Sequence, residues 1–410
     1  MLDSAHARPA VPPDPGPTLV PERIVRARSQ PGALSAASPL TVVPVEGARA
    51  VGAFIRLPWT IYAGDPAWVP PLLLERRHHL SRRRPRFARA RFWIAYRGRA
   101  PVGRISAQID RLHLERYHDA TGFFGMLEAE DDGRTFEALL GTAEAWLRAE
   151  GMRRVLGPFN LSINEECGLL VEGFDTPPMI LMGHGRPYYA ARLEARGYRA
   201  AKDLLAYRLA ADFTTPDIMR ATVLRAGRAV VVRPLRRSSF QSELATLREV
   251  FEDAWSENWG FVPFTAAEFE ELGRALRFIV DDDFVQIAEV DGEPAGMLVL
   301  LPNLHEAIRD LNGRLRPLGW LKLVWRLGVR RPRTGRVALM GVRKRYQRTA
   351  LGLAIAFSMI DAVRARGLAR GVRDVELSWV LEDNHGVRSL LEAIGSVVYK
   401  RYRLYEKPLG

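Results

Sequence analysis

Residues 342–354, VRKRYQRTALGLA, constrain this chain more than any other stretch. The apolar segment 337–342 reads as a strand, and over 351–366 apolar residues recur at helical spacing. A strand, a basic glycine-containing loop and a helix, in that order, build an anion site. The first N–H groups of a helix lack intrahelical acceptors, and with the helix dipole they favour a phosphate or pyrophosphate at that end. Arg343, Lys344, Arg345 and Arg348 add side-chain charge.

The flanks extend the pattern. Residues 372–380 (VRDVELSWV) read as a strand, 384–395 (NHGVRSLLEAIG) as a helix, and 284–301 as a hairpin turned at Asp291-Gly292. The loop Gln347-Arg348-Thr349-Ala350-Leu351-Gly352 resembles the Q/R-x-x-G-x-G/A signature of the GNAT acyltransferases, and residues 384–395 resemble the helix that packs beside the pantetheine arm in that family. The resemblance implies an α/β (α+β) fold in which a mixed, twisted sheet is flanked by helices. It also implies acyl-CoA as co-substrate, with its pyrophosphate held by Val342, Arg343, Gln347, Arg348, Thr349, Ala350, Leu351 and Gly352. Two positions depart from the family pattern. Ala350 stands where the first glycine is usual, and Leu391 where a tyrosine often protonates the leaving thiolate. An ordinary basic strand-to-helix turn is the plainer alternative.

At 410 residues the chain has room for two domains, and its net charge of +13 attracts polyanions: coenzyme A, anionic headgroups and nucleic acid alike. One cysteine, Cys167, excludes an intrachain disulfide framework. No apolar run reaches the length of a spanning helix, about 18 residues or more. No zinc-ligand spacing is present, so no metal is expected. Residues 1–38 read as a disordered tail rich in Pro, Arg and Ala, without the apolar core of a secretory signal. The cytoplasm, with peripheral contact at the inner membrane face, is the expected location.

Residues 39–211 read as an earlier copy of the same fold: a helix at 48–62, a hairpin at 92–110, a strand at 121–127, a helix at 135–150, a strand at 154–156, then helix, glycine and strand over 188–209. The loop before residue 135 is acidic, so this copy is expected to be degenerate and to lack the pyrophosphate cradle. Residues 229–410 form the expected second domain, with the loop and a basic amphipathic insertion at 303–335. Two tandem GNAT-like domains are the resulting expectation.

Residues 157–178, GPFNLSINEECGLLVEGFDTPP, set Asn160, Ser162, Asn164, Glu165, Glu166 and Cys167 among glycine, proline and apolar residues. Such a segment either lines a cleft that positions an amine or hydroxyl, or is a connector whose polar groups satisfy its own backbone. Cys167 is either a thiolate nucleophile or a buried thiol; no histidine stands at motif spacing, and His184 is the nearest base. Asn258 and Trp259 fall between two helices of the second copy, where GNAT enzymes place acceptor-binding groups, and Trp379 lies in ELSWVLEDN. That stretch also offers Glu376 and Glu382 as bases, with Asn384 beside them; Glu165 and Glu166 would join the same cleft if the two halves face each other.

Residues 157–178 together with ELSWVLEDN are similar to the subgroup containing the bacterial ceramide synthases. That implies N-acylation of a sphingoid base, sphinganine or its 3-oxo form, by a long-chain acyl-CoA. The lipid amine and acyl-CoA are then the partners. The basic run 76–91 and the Trp-rich, cationic insertion 303–335 agree with contact to an anionic membrane. Nucleic acid is not expected, although a Fem-type ligase, also a doubled GNAT fold, would use aminoacyl-tRNA. A non-catalytic acyl-CoA or lipid binder, or a GNAT enzyme acting on another amine, stays open as an alternative. NTPase and serine-esterase readings lack their motifs.

Overall fold

The computed structural model describes residues 38–81, 87–277 and 279–410. The tail expected over residues 1–38 lies outside this set, Ser38 excepted, as do residues 82–86 of the basic run.

The first half contains β1 (Leu40–Pro44), α1 (Gly47–Ile61), α2 (Leu73–Ser81), β2 (Phe87–Arg97), β3 (Ala100–Asp110), α3 (Arg111–Tyr117), β4 (Thr121–Ala129), α4 (Gly133–Ala149), β5 (Arg154–Gly157), β6 (Leu169–Glu172), α5 (Tyr188–Glu194) and β7 (Arg199–Ala210). The joint carries α6 (Asp217–Ala226). The second half contains β8 (Val231–Pro234), α7 (Phe240–Trp255), α8 (Ala266–Leu276), β9 (Val285–Val290), β10 (Glu293–Pro302), α9 (Leu304–Ile308), α10 (Gly319–Trp325), β11 (Thr334–Val342), α11 (Ala350–Ala369), β12 (Asp374–Leu381), α12 (His385–Ala393) and β13 (Val397–Pro408).

Helix positions follow from side-chain spacing and caps. In α4, Phe136, Leu139, Leu140, Ala143 and Leu147 recur every three or four residues and bury one face, while the Asp132 carboxylate accepts from the Thr135 N–H at the start. In α8, Thr265 and Glu268 close a reciprocal capping box. Helix α11 buries residues all round, from Ala354 to Gly367, because it lies between the sheet and α6.

One mixed sheet runs through both halves in the order β1-β2-β3-β4-β5-β13-β7-β12-β11-β10-β9-β8, with β6 pairing β13. Each half has one parallel pair joined through a helix, β4 with β5 through α4 and β11 with β12 through α11. The closing strands are exchanged. Strand β7, which ends the first half, pairs with β12 of the second, and β13, which ends the second, pairs with β5 of the first. Between them β7 and β13 pair over nearly their whole length, from Val397↔Arg208 to Glu406↔Arg199. Neither half therefore closes its own sheet.

Candidate functional site

Both parallel pairs open. Strands β11 and β12 pair only from Thr334↔Asp374 to Val337↔Leu377. Beyond that, Ala338 is bulged out of the β10 ladder, β11 continues along β10 to Val342↔Gly296, and β12 continues along β7 to Leu381↔Leu204. From Leu339 to Val342, β11 thus has a strand on one side only. Its other edge offers backbone N–H and C=O groups to an extended, amide-bearing ligand.

At the top of that gap stands the basic loop. Arg348 takes a positive φ of 60°, Thr349 caps α11 by accepting from the Gly352 N–H at 3.0 Å, and the first N–H groups of α11 point into the turn. A Cβ on Gly352 would lie 2.0 Å from the Tyr346 carbonyl oxygen, so glycine is required by the loop's own backbone. Ala350 is exposed at the first helical position, where a methyl group is tolerated. Gln347 donates to the Ala254 and Val342 carbonyls and shapes the turn. Lys344 pairs with Glu257 at 2.8 Å and Arg343 donates to the Pro294 carbonyl at 2.7 Å, whereas Arg345 and Arg348 are exposed.

The corresponding turn of the first half is filled by protein. Arg97, buried, donates to Asp132 at 2.7 Å and to Glu130, and both carboxylates accept from the Thr135 hydroxyl. Carboxylates stand where an anion would bind.

The remaining candidate residues fall into separate groups. Glu376 is fully buried; its oxygens accept from the Ser378 and Tyr399 hydroxyls, and Arg336 approaches it at 3.7 Å while donating to Ser378 Oγ at 2.7 Å. Glu382 clips β12 to β7, accepting from the Asp203 N–H at 3.1 Å, and Asn384 caps α12. Leu391 is buried in α12, but a phenol does reach that helix: Tyr207 of β7 accepts from Arg388 Nε at 3.2 Å and donates to Glu392 at 3.3 Å. Cys167, Trp259 and Trp379 share one apolar cluster with Ile163 and Met182. Burial pushes the Cys167 thiol up to about 12, so no thiolate nucleophile is available at neutral pH. Ser162 and Asn164 brace the loop, Ser162 Oγ accepting from the Asn164 N–H and Asn164 donating to the Val262 carbonyl. Asn258 closes the turn after α7 through backbone bonds to Trp255 and Phe261.

Asn160 and Glu166 line a cavity of about 110 Å³ in the first half, between α1, α2 and the opened end of β4. Asn160 accepts from the Met126 N–H at 2.7 Å and donates to Glu166 at 2.9 Å; Arg76 also binds Glu166, and His79 pairs with Glu165 at 3.0 Å. The side chains of Arg76 and His79, at the start of the basic run, therefore turn inward. Burial works to raise the Glu166 carboxyl, but the charge and hydrogen bond of Arg76 and the bond from Asn160 outweigh it and bring it to about 2. Its contribution to stability is complete above the ordinary carboxyl value of 4.5 and is lost as pH falls toward 2. Glu166→Gln should accordingly flatten the loss of stability over that acid range, measured by urea unfolding at stepped pH; an unchanged acid limb would contradict the pairing.

The same cavity is lined by His184 and His305, and sequence reasoning passed over His305. Its Nδ1 lies 2.7 Å from the Pro178 carbonyl, 127 residues away, a contact with no local signature. Burial holds its imidazole below the usual value, hence neutral at pH 7.

An opened parallel pair ending in a capped, cation-rimmed helix start defines a GNAT-type acyltransferase fold. The Acetyltransferase (GNAT) family model matches residues 244–395. Protein YghO of Escherichia coli is 48% identical over 360 residues, 87% of this chain and 92% of that one. A protein named bacterial ceramide synthase from Caulobacter vibrioides is 45% identical over 375 residues, 90% of this chain and 98% of that one. Among solved structures, a tandem GNAT protein from the clavulanic acid biosynthesis pathway superposes with a TM-score of 0.53 at 16% identity, covering 91% of this chain and 99% of that one. The chain belongs to the GNAT family, as a tandem member grouped with these relatives, and is an acyl-CoA-dependent N-acyltransferase.

Proposed function

We propose that this enzyme moves a long-chain acyl group from acyl-CoA to the amine of a sphingoid base, sphinganine or its 3-oxo form. The observation that carries the donor half is the opened β11/β12 pair beneath the α11 turn. The pyrophosphate is held by α11 N–H groups with Arg345 and Arg348, and the pantetheine amides pair with the free β11 edge over residues 339–342. The long chain is supported by an apolar cavity of about 80 Å³ beside β11, walled by Phe240, Leu244, Phe269, Leu276, Val299 and Leu339. The sphingoid acceptor is supported by the name of the Caulobacter relative. Incubation with palmitoyl-CoA and each base, with mass spectrometry of the product, tests the reading; failure to form any N-acyl sphingoid base would overturn it.

A lipid acceptor also calls for a membrane contact. Leu318, Trp320, Leu321, Val324, Trp325 and Val329 are 47–72% exposed on and around α10, and Arg314, Arg316, Lys322, Arg330 and Arg331 are exposed among them. Indole rings at headgroup depth beside spaced cations suit an anionic surface, each cation adding about 1 kcal/mol. No helix among the described residues is long and apolar enough to cross a membrane. Trp320→Ala with Trp325→Ala should reduce co-sedimentation with phosphatidylglycerol vesicles about tenfold, whereas undiminished binding would exclude this face.

A further inference from the structure

The cavity in the first half does not belong to the acyl-CoA cradle. Its charges are mostly paired, Arg76 with Glu166 and Arg104 with Glu128 at 3.7 Å, and the neutral His184 ring donates from Nε2 to Asp65 at 3.1 Å. Two buried polar atoms in its lining find no partner in the protein, the Arg104 Nε donor and the His184 Nδ1 acceptor. The His184 side chain is only 4% exposed. A third atom is set for work by its tautomer. The Pro178 carbonyl can only accept, so His305 Nδ1 carries the ring proton and Nε2 is left with the lone pair. An unmet donor, an unmet acceptor and a carboxylate in one small space, beside the His305 Nε2 lone pair, call for a ligand that carries both N–H or O–H donors and an oxygen acceptor.

We propose that this chamber receives the polar end of the acceptor, an amine beside a hydroxyl or keto oxygen, with Glu166 facing the ammonium and His305 Nε2 as the base. This rests on the acyl-transfer reading above. The acceptor's oxygen takes the Arg104 Nε–H, and a hydroxyl or amine proton satisfies His184 Nδ1. His305 removes one proton from the ammonium, and the freed nitrogen lone pair attacks the thioester carbonyl. The C–N bond forms, the C–S bond breaks, and the second nitrogen proton balances the departing thiolate as free CoA thiol. Base placement is favoured by connectivity. His305 follows β10 directly, Asn303 beside it is bonded to Thr334 at the foot of β11, and Arg336 on β11 donates to the Ile180 carbonyl at 2.9 Å in the segment that also carries Pro178 and Met182. The chamber wall is thus tied to the foot of the strand pair that opens for acyl-CoA. The outer wall leads to the membrane-facing insertion, because Val69 of the chamber packs in one cluster with Ile308, Leu311 and Leu323. An alkyl tail leaving the chamber on that side meets the exposed α10 surface.

The test uses the full chain. His305→Asn keeps an N–H for the Pro178 carbonyl and removes the base. It is expected to lower kcat with sphinganine about 100-fold, with palmitoyl-CoA affinity unchanged. Glu166→Gln is expected to raise KM for sphinganine about tenfold with a smaller effect on kcat. Sphinganine binding without any acyl donor, followed by tryptophan fluorescence, should weaken by the same factor in Glu166→Gln. A His305→Asn enzyme with parental kcat, parental sphinganine affinity in Glu166→Gln, or no sphinganine binding by the parent protein would each overturn the proposal. A parent protein that binds sphinganine with this dependence on Glu166 yet transfers no acyl group would overturn the proposed function and leave the chamber assigned.

Discussion

Replacing Arg336 by methionine is expected to cost about 3–5 kcal/mol of stability, seen as a lower urea midpoint with an unchanged slope. Glu376 is 0% exposed, and its carboxylate keeps only hydroxyl donors, from Ser378 and Tyr399, once the guanidinium is gone. The buried carboxylate then loses the guanidinium that approaches it at 3.7 Å and has no route to water. Arg336 also holds the Ile180 carbonyl at 2.9 Å, so its loss loosens the segment that covers the first-half chamber. Adding Glu376→Gln to Arg336→Met should recover a large part of the loss, because a neutral amide still bonds to both hydroxyls. A cost below about 1 kcal/mol for the single change would show that the pair is not balanced in the way described.

Gly352→Val is expected to weaken palmitoyl-CoA binding by roughly 100-fold, about 3 kcal/mol, with the sheet intact. Any side chain there meets the Tyr346 carbonyl at 2.0 Å, and this contact is backbone, so the turn must move and its N–H groups lose their aim. Ala350→Gly, two residues earlier, should change affinity less than about twofold, because the alanine methyl is exposed at the first helical position. Titration calorimetry of both variants separates a cradle shaped by its own backbone from one limited by a methyl group near the phosphate. Equal affinities for Gly352→Val and the parent would contradict the cradle.

The glycine illustrates how much the chain reveals of itself. Strand, basic turn and helix over 337–366 were legible because each is written in local periodicity and in the cap at Thr349. The backbone contact that requires Gly352 was not, since the Tyr346 carbonyl that a Cβ would meet has no signature in the local pattern. Hairpins at 92–110 and 284–301 were readable from alternation and turn residues, and so was the acidic loop that closes the first half's own turn. The exchange of β7 and β13 was not readable. A strand's alternation states which face is buried but not which distant strand lies beside it, and both strands have the same character. For the same reason the basic run around Arg76 reads as a charged surface, whereas its partner Glu166 lies 90 residues away and draws it inward. His305 carried no motif at all. Its meaning depends on a carbonyl 127 residues distant and on the cavity between them.

Acyl transfer from a long-chain donor to a sphingoid amine is tested by a single assay. Purified protein is given palmitoyl-CoA or acetyl-CoA, each with sphinganine, 3-oxosphinganine or a water-soluble amine, and products are identified by mass spectrometry. The expected product is an N-acyl sphingoid base formed from palmitoyl-CoA, with little product from acetyl-CoA. Acetylation of the soluble amine alone would retain the GNAT chemistry and contradict the lipid substrate.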